Sequence, residues 1–98
     1  MHKMRSESCD RLFQTILNLQ NIDECYAYFE DLCTIKELQS MAQRLEVAAR
    51  LDAGQNYNAV CDRTGASTAT ISRVSKCCEY GTGGYRTVID RLSGEENP

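Results

Sequence analysis

Apolar residues recur along the chain at steps of three and four, with polar residues between them and no run of strict alternation. That pattern predicts amphipathic helices throughout. Leu12, Phe13, Ile16, Leu17 and Leu19 predict a first helix over about Ser6–Gln20, which Asn21-Ile22-Asp23 interrupts. Ile22, Cys25, Tyr26, Phe29, Leu32 and Cys33 predict a second, whose polar face carries Asp23, Glu24, Glu30 and Asp31. Thr34-Ile-Lys-Glu37 has the form of a capping box, in which a threonine hydroxyl and a glutamate carboxylate each accept the other residue's amide. It opens a third helix, the longest, which runs to about Ala53 with Ile35, Leu38, Met41, Ala42, Leu45, Ala48 and Ala49 on one side. Gly54 supplies the left-handed stop.

Beyond Gly54 the elements shorten. Tyr57, Val60 and Cys61 predict a fourth helix over about Asn56–Arg63, followed by the turn Thr64-Gly65-Ala66. Ser67 is placed to cap a fifth helix to about Glu79. Tyr80–Gly84 reads as a loop. Tyr85, Val88, Ile89 and Leu92 predict a last helix over 84–93, and Ser93–Pro98 a frayed acidic tail. The fold class is therefore all-α, a single domain over residues 1–98 of about six helices. A chain of 98 residues buries a modest fraction of its surface alone, so pairing with a second copy would help it.

The fourth and fifth helices meet the demands of a helix-turn-helix over 56–79. Such a pair crosses steeply over a short turn and presents its second helix to the major groove. The turn needs a residue tolerant of positive φ, which Gly65 is. Close approach wants a small residue four positions earlier, where Cys61 stands beside the anchoring Val60. Apolar residues six and nine positions after the glycine must hold the second helix down, and these are Ile71 and Val74. Ser67, Thr68, Ala69, Thr70, Ser72, Arg73 and Lys76 then face outward, and Asn58 and Ala66 complete the candidate DNA-contacting set. Serine and threonine can bond base edges or phosphates, a threonine or alanine methyl can touch a thymine methyl, and Arg73 and Lys76 suit phosphate or guanine.

Charge changes this picture only in its distribution. The net charge of −3 opposes nucleic-acid binding. Residues 55–86, however, carry Arg63, Arg73, Lys76 and Arg86 against Asp62 and Glu79, and this is the net-positive stretch of the chain. The six cysteines, Cys9, Cys25, Cys33, Cys61, Cys77 and Cys78, have no C-x-x-C spacing, and the lone His2 lies in what reads as a mobile tail. No metal site is expected. Cys25, Cys33 and Cys61 are expected to be small core residues, and Cys77–Cys78 has one nearby cation, Lys76, to activate it. With no export signal and no apolar run of membrane-spanning length, the expected location is cytoplasmic.

Gly65-Ala-Ser-Thr-Ala-Thr-Ile-Ser-Arg73 resembles the reading head of the Trp repressor family. Glu24-Cys-Tyr26, Phe29-Glu-Asp-Leu-Cys-Thr34 and the helix through Ala42-Gln-Arg44-Leu-Glu-Val47 resemble its YerC/YecD branch in particular. The resemblance implies a Trp repressor-like helical array forming an intertwined homodimer through helices 6–53, two reading heads about one DNA turn apart, and a roughly palindromic operator. It also implies an effector pocket for L-tryptophan or another small molecule, at Thr34, Arg44, Thr70, Arg73, Val74 and Cys77. Two of these depart from the corepressor-dependent pattern: Val74 stands where a glycine lies beside the indole, and Cys77 where a serine stands. Otherwise Arg44 and Arg73 would contact phosphate or pair with Glu37 or Glu46. The link from Gly54 to Gly65 is also one residue shorter.

The expected function is that of a sequence-specific regulator of transcription, a repressor binding double-stranded DNA as a homodimer, with no cofactor and no membrane partner. The competing reading is a dimeric helical adaptor whose vestigial reading head docks a protein. An enzyme fails on inventory: there is no usable histidine, paired acids, phosphate-binding glycine loop or metal cluster.

Overall fold

The computed structural model describes residues 3–96, which form six α-helices and no strand. His2, Asn97 and Pro98 lie outside the described residues. The helices are α1 (Glu7–Leu17), α2 (Ile22–Leu32), α3 (Ile35–Asp52), α4 (Tyr57–Thr64), α5 (Thr68–Tyr80) and α6 (Gly84–Glu96).

Side-chain caps explain most of the starts. Ser6 Oγ accepts the Cys9 N–H at 3.1 Å to open α1. Asn21 Oδ1 accepts the Glu24 N–H at 2.8 Å to open α2, while the Glu24 carboxylate reaches back to accept the Gln20 N–H at 2.9 Å. The segment expected to interrupt two helices is thus the cap of the second. The capping box of α3 forms as the sequence suggests: Thr34 Oγ1 accepts from Glu37 at 3.1 Å and Glu37 Oε1 accepts from Thr34 at 2.8 Å. At the far end, Gln55 N–H bonds the Arg50 carbonyl and Gly54 N–H the Leu51 carbonyl, with Gly54 at φ +87°. These are the paired bonds of a Schellman stop.

Two helix ends differ from expectation. Helix α1 stops at Leu17, because the Asn18 N–H turns to the Thr15 and Ile16 carbonyls, and Leu19 falls in the connection. Helix α6 runs to Glu96, so 93–96 is helical and not frayed. Gly94 costs a helix only about 1 kcal/mol relative to alanine, and no proline intervenes to end it sooner.

The chain divides into two compact units, Met1–Leu38 and Gln39–Pro98. In the first, the hydroxyls of Thr15 and Tyr28 join α1 to α2 at 2.6 Å. Thr15 already gives its proton to the Leu12 carbonyl, so Tyr28 is the donor. Tyr28 and Phe29 meet edge to face at 5.8 Å. None of the described side chains of this unit is buried. Two short helices cannot enclose a core, and Phe13, Leu17, Ile22, Tyr26, Leu32 and Ile35 remain exposed.

The core lies in the second unit. Val47 and Ala48 of α3, Val60 of α4, Ala66 of the turn, Ile71 and Val74 of α5 and Ile89 of α6 are buried together. Ala49, Leu51, Cys61 and Tyr85 pack against them. Val47 was not on the apolar side assigned to α3, yet none of it is exposed, while Ile35 and Leu45 of that side are. The helix is apolar on more than one face, and periodicity alone does not say which face is covered. Cys25, Cys33 and Cys61 are half-buried and not enclosed core residues. No helix among the described residues is long and apolar enough to cross a membrane.

The capping box carries a pH dependence. Its hydrogen bonds from Thr34 hold the Glu37 carboxyl below its ordinary range. A depressed folded-state pKa stabilises the folded chain above the unfolded value, and that stabilisation is lost as pH falls through the folded value. Urea unfolding of wild type and Glu37→Gln is expected to differ most near neutrality and to converge in acid.

Candidate nucleic-acid interface

Helix α4 is capped by Asn56, whose Oδ1 accepts the Ala59 N–H at 2.9 Å, and ends at Gly65 with φ +72°. Thr64 closes the turn from inside. Its hydroxyl donates to the Val60 carbonyl at 2.7 Å and accepts the Ala66 N–H at 3.1 Å, while its carbonyl accepts from Gln43 Nε2 of α3 at 3.2 Å. Gln43 had no part in the expectation from sequence, and only a tertiary contact reveals it. Ser67 caps α5 by accepting the Thr70 N–H at 3.1 Å, and its hydroxyl donates to Thr70 Oγ1 at the same distance. Below, Val60, Ile71 and Val74 are fully or almost fully buried, as the crossing requires.

Above, Thr68, Ala69, Arg73 and Lys76 are exposed on α5, and Thr70 and Ser72 are half-buried beside them. Ser67 is exposed, with its hydroxyl proton committed to Thr70. Asn58 is exposed on the first turn of α4. Ala66, expected to touch DNA, is instead 2% exposed: the turn folds its methyl into the core, so the side chain has no access to a groove.

The free positive charge is smaller than the sequence count. Arg86 is bound to Asp52 of α3 and, at 3.2 Å, to Asp90 of α6, which hold its guanidinium charged and neutralise it. Among the described residues Arg63, Arg73 and Lys76 take no part in an ion pair. Within the helix-turn-helix they are the cations available to phosphate.

Each expected effector residue has its own local setting. Thr34 belongs to the first unit, where its hydroxyl caps α3. Arg44 lies 3.5 Å from Ser40 Oγ and pairs with neither Glu37 nor Glu46, the latter being held by Arg50 at 2.8 Å. Val74 is 1% exposed, and Cys77 is open to solvent. Tyr85, read from the sequence only as an apolar position of the last helix, has its phenol pushed up by burial, which outweighs the opposing charges of Arg44 and Arg73. Burial, with a smaller contribution from Cys77, pushes the Cys78 thiol up, which keeps it protonated at neutral pH and opposes redox activation.

At Gly65 a Cβ would meet nothing within 4 Å, so substitution costs backbone strain alone. Gly65→Ala is expected to lower stability by about 1–2 kcal/mol, measured by urea unfolding, with Gly65→Asn less damaging because asparagine tolerates the left-handed region.

The chain matches the family model described as Trp repressor protein over residues 7–93. It is 51% identical to the uncharacterised protein YerC of Bacillus subtilis over 94 residues, 96% of this chain and 90% of that one. It is similar to a solved TrpR-like protein from Eubacterium eligens, at TM-score 0.89 and 47% identity over 93% of this chain and 94% of that one. A crystal structure from Staphylococcus aureus superposes at the same TM-score of 0.89, with 45% identity over 93% of this chain and 91% of the other.

Proposed function

The chain belongs to the Trp repressor family, whose members are regulators and not enzymes, and from that premise we propose that it binds operator DNA as a homodimer and represses transcription by blocking polymerase. One α4–α5 head per protomer enters successive major grooves of a palindromic site. The observation that carries this reading is the outer face of α5, where Arg73 and Lys76 are exposed and, among the described residues, outside any ion pair, above a helix clamped by Ile71 and Val74. With Arg63 they give about two to four phosphate contacts per head, and so a log-log salt slope of about −0.9 for each.

The homodimer is supported by the first unit. Leu17, Ile22 and Ile35 are 82%, 72% and 75% exposed there, a density of open apolar surface that a second copy would cover. Sedimentation is expected to give a dimer for wild type and a monomer, or a marked rise in dissociation constant, for Ile35→Asp.

The first test is selection from random duplexes with purified protein at near-physiological salt, with and without L-tryptophan. Enrichment of a palindrome supports the proposal. Enrichment of none in either arm leaves a missing effector or the adaptor reading, and turns the search toward protein partners. On the selected site, Arg73→Ala is expected to cost roughly 1–3 kcal/mol of binding, and Lys76→Ala to reduce the salt slope by about 1 with little change in sequence preference.

A further inference from the structure

A cavity of about 290 Å³ opens between the C-terminal half of α3, the last turns of α5 and the first turns of α6. It lies wholly within the second unit. None of Thr34, Arg44, Thr70, Arg73, Val74 and Cys77 lines it, so it is a place apart from the effector residues expected from sequence. Its floor is apolar: Ala48 and Ile89 are buried and Leu51 is half-buried. Its mouth is polar, with Cys78, Glu79 and Arg86 exposed. Apolar walls with a few polar groups are the usual make-up of a small-molecule site, and the volume stands at the lower end of the range of about 300–1,000 Å³ that such sites occupy.

The charges say what such a molecule carries. Arg86 is the cation of the lining, and Asp52 and Asp90 already bind it. Glu79, by contrast, is in no ion pair among the described residues. The lining therefore has a surplus of carboxylate. An anion would meet Glu79 with Arg86 already taken, whereas an ammonium group would meet an unpaired partner. Tyr85 adds an aromatic residue to the lining, which also suits a cation.

We propose that this cavity binds a small organic amine: its apolar body rests on Ala48, Leu51 and Ile89, and its ammonium group pairs with Glu79 at the mouth. The site stands on the cavity and its charge and not on the DNA-binding reading, so either holds if the other fails. The ligand touches α3, α5 and α6 at once, and so favours the arrangement of those helices seen here. Glu79 is exposed, and its pairing contributes no more than about a fivefold gain in affinity. Burial of the apolar body supplies the rest.

The test uses the full chain and three probes that share one ring and differ in charge: benzylamine, benzyl alcohol and benzoate. Cys78 lines the cavity and Cys77 does not, although the two are adjacent and both exposed. Alkylation of each by iodoacetamide, read by peptide mass spectrometry, reports occupancy at one thiol with its control beside it. Benzylamine is expected to slow alkylation of Cys78 severalfold and to raise the melting temperature, while Cys77 reacts as before. Benzyl alcohol should need up to about five times the concentration for the same protection, and benzoate should protect least. Glu79→Gln is expected to bring benzylamine and benzyl alcohol to the same half-protecting concentration. Protection by none of the probes, equal slowing of Cys77 and Cys78, or benzoate protecting as well as benzylamine overturns the proposal. So does a Cys78 that is inert without any probe, since the cavity is then closed to solvent. Should Glu79→Gln fail to fold, the ranking of the three probes on wild type decides alone.

Discussion

Val47 and Ala48 on α3, Val60 on α4 and Ile71 and Val74 on α5 meet with almost none of their surface left to water. Everything that presents the reading helix hangs from that small knot. Each side chain is short and branched or simply small, so three helices approach closely and their relative angles are set by few atoms. Gly65 allows the chain to turn between α4 and α5, and Thr64 satisfies the backbone groups the turn leaves over. The polar face of α5 is then a consequence of burying the other face.

Much of this was legible in the order of residues because the signals are local. Ser67, Thr34 with Glu37, Gly54 and Gly65 each act within four positions of themselves, and each appears in the role that its chemistry suggests. The anchors Val60, Ile71 and Val74 were legible because the helix crossing imposes fixed offsets. What was not legible depends on distant neighbours. Val47 is buried through its partners on other helices, and Ala66 is withdrawn from the reading face by the fold of its own turn. Gln43 reaches the Thr64 carbonyl across 21 positions. Tyr85 packs against the buried cluster from a helix whose sequence says only that it is amphipathic.

Charge shows the same division. A count along the chain assigns Arg86 to the basic stretch, but Asp52 arrives from a different helix and Asp90 from one turn on, and the pair removes it. What remains is a sparse set of exposed cations on an acidic protein. In the proposed reading this sparseness predicts low affinity for arbitrary DNA, and discrimination that rests more on base contacts and fit than on attraction to the backbone.

The two units also differ in what keeps them ordered. The second owns a core, whereas the first has helices but no enclosed side chain among its described residues. In the proposed assembly the order of α1 and α2 is therefore coupled by mass action to the number of copies in the cell. Dilution loosens the first unit while the reading head stays folded, so the chain has two thresholds of concentration and not one. Between them lies a species with an intact head and no fixed spacing to a second, able to touch half an operator and unable to hold a whole one. Abundance itself becomes an input to the regulator.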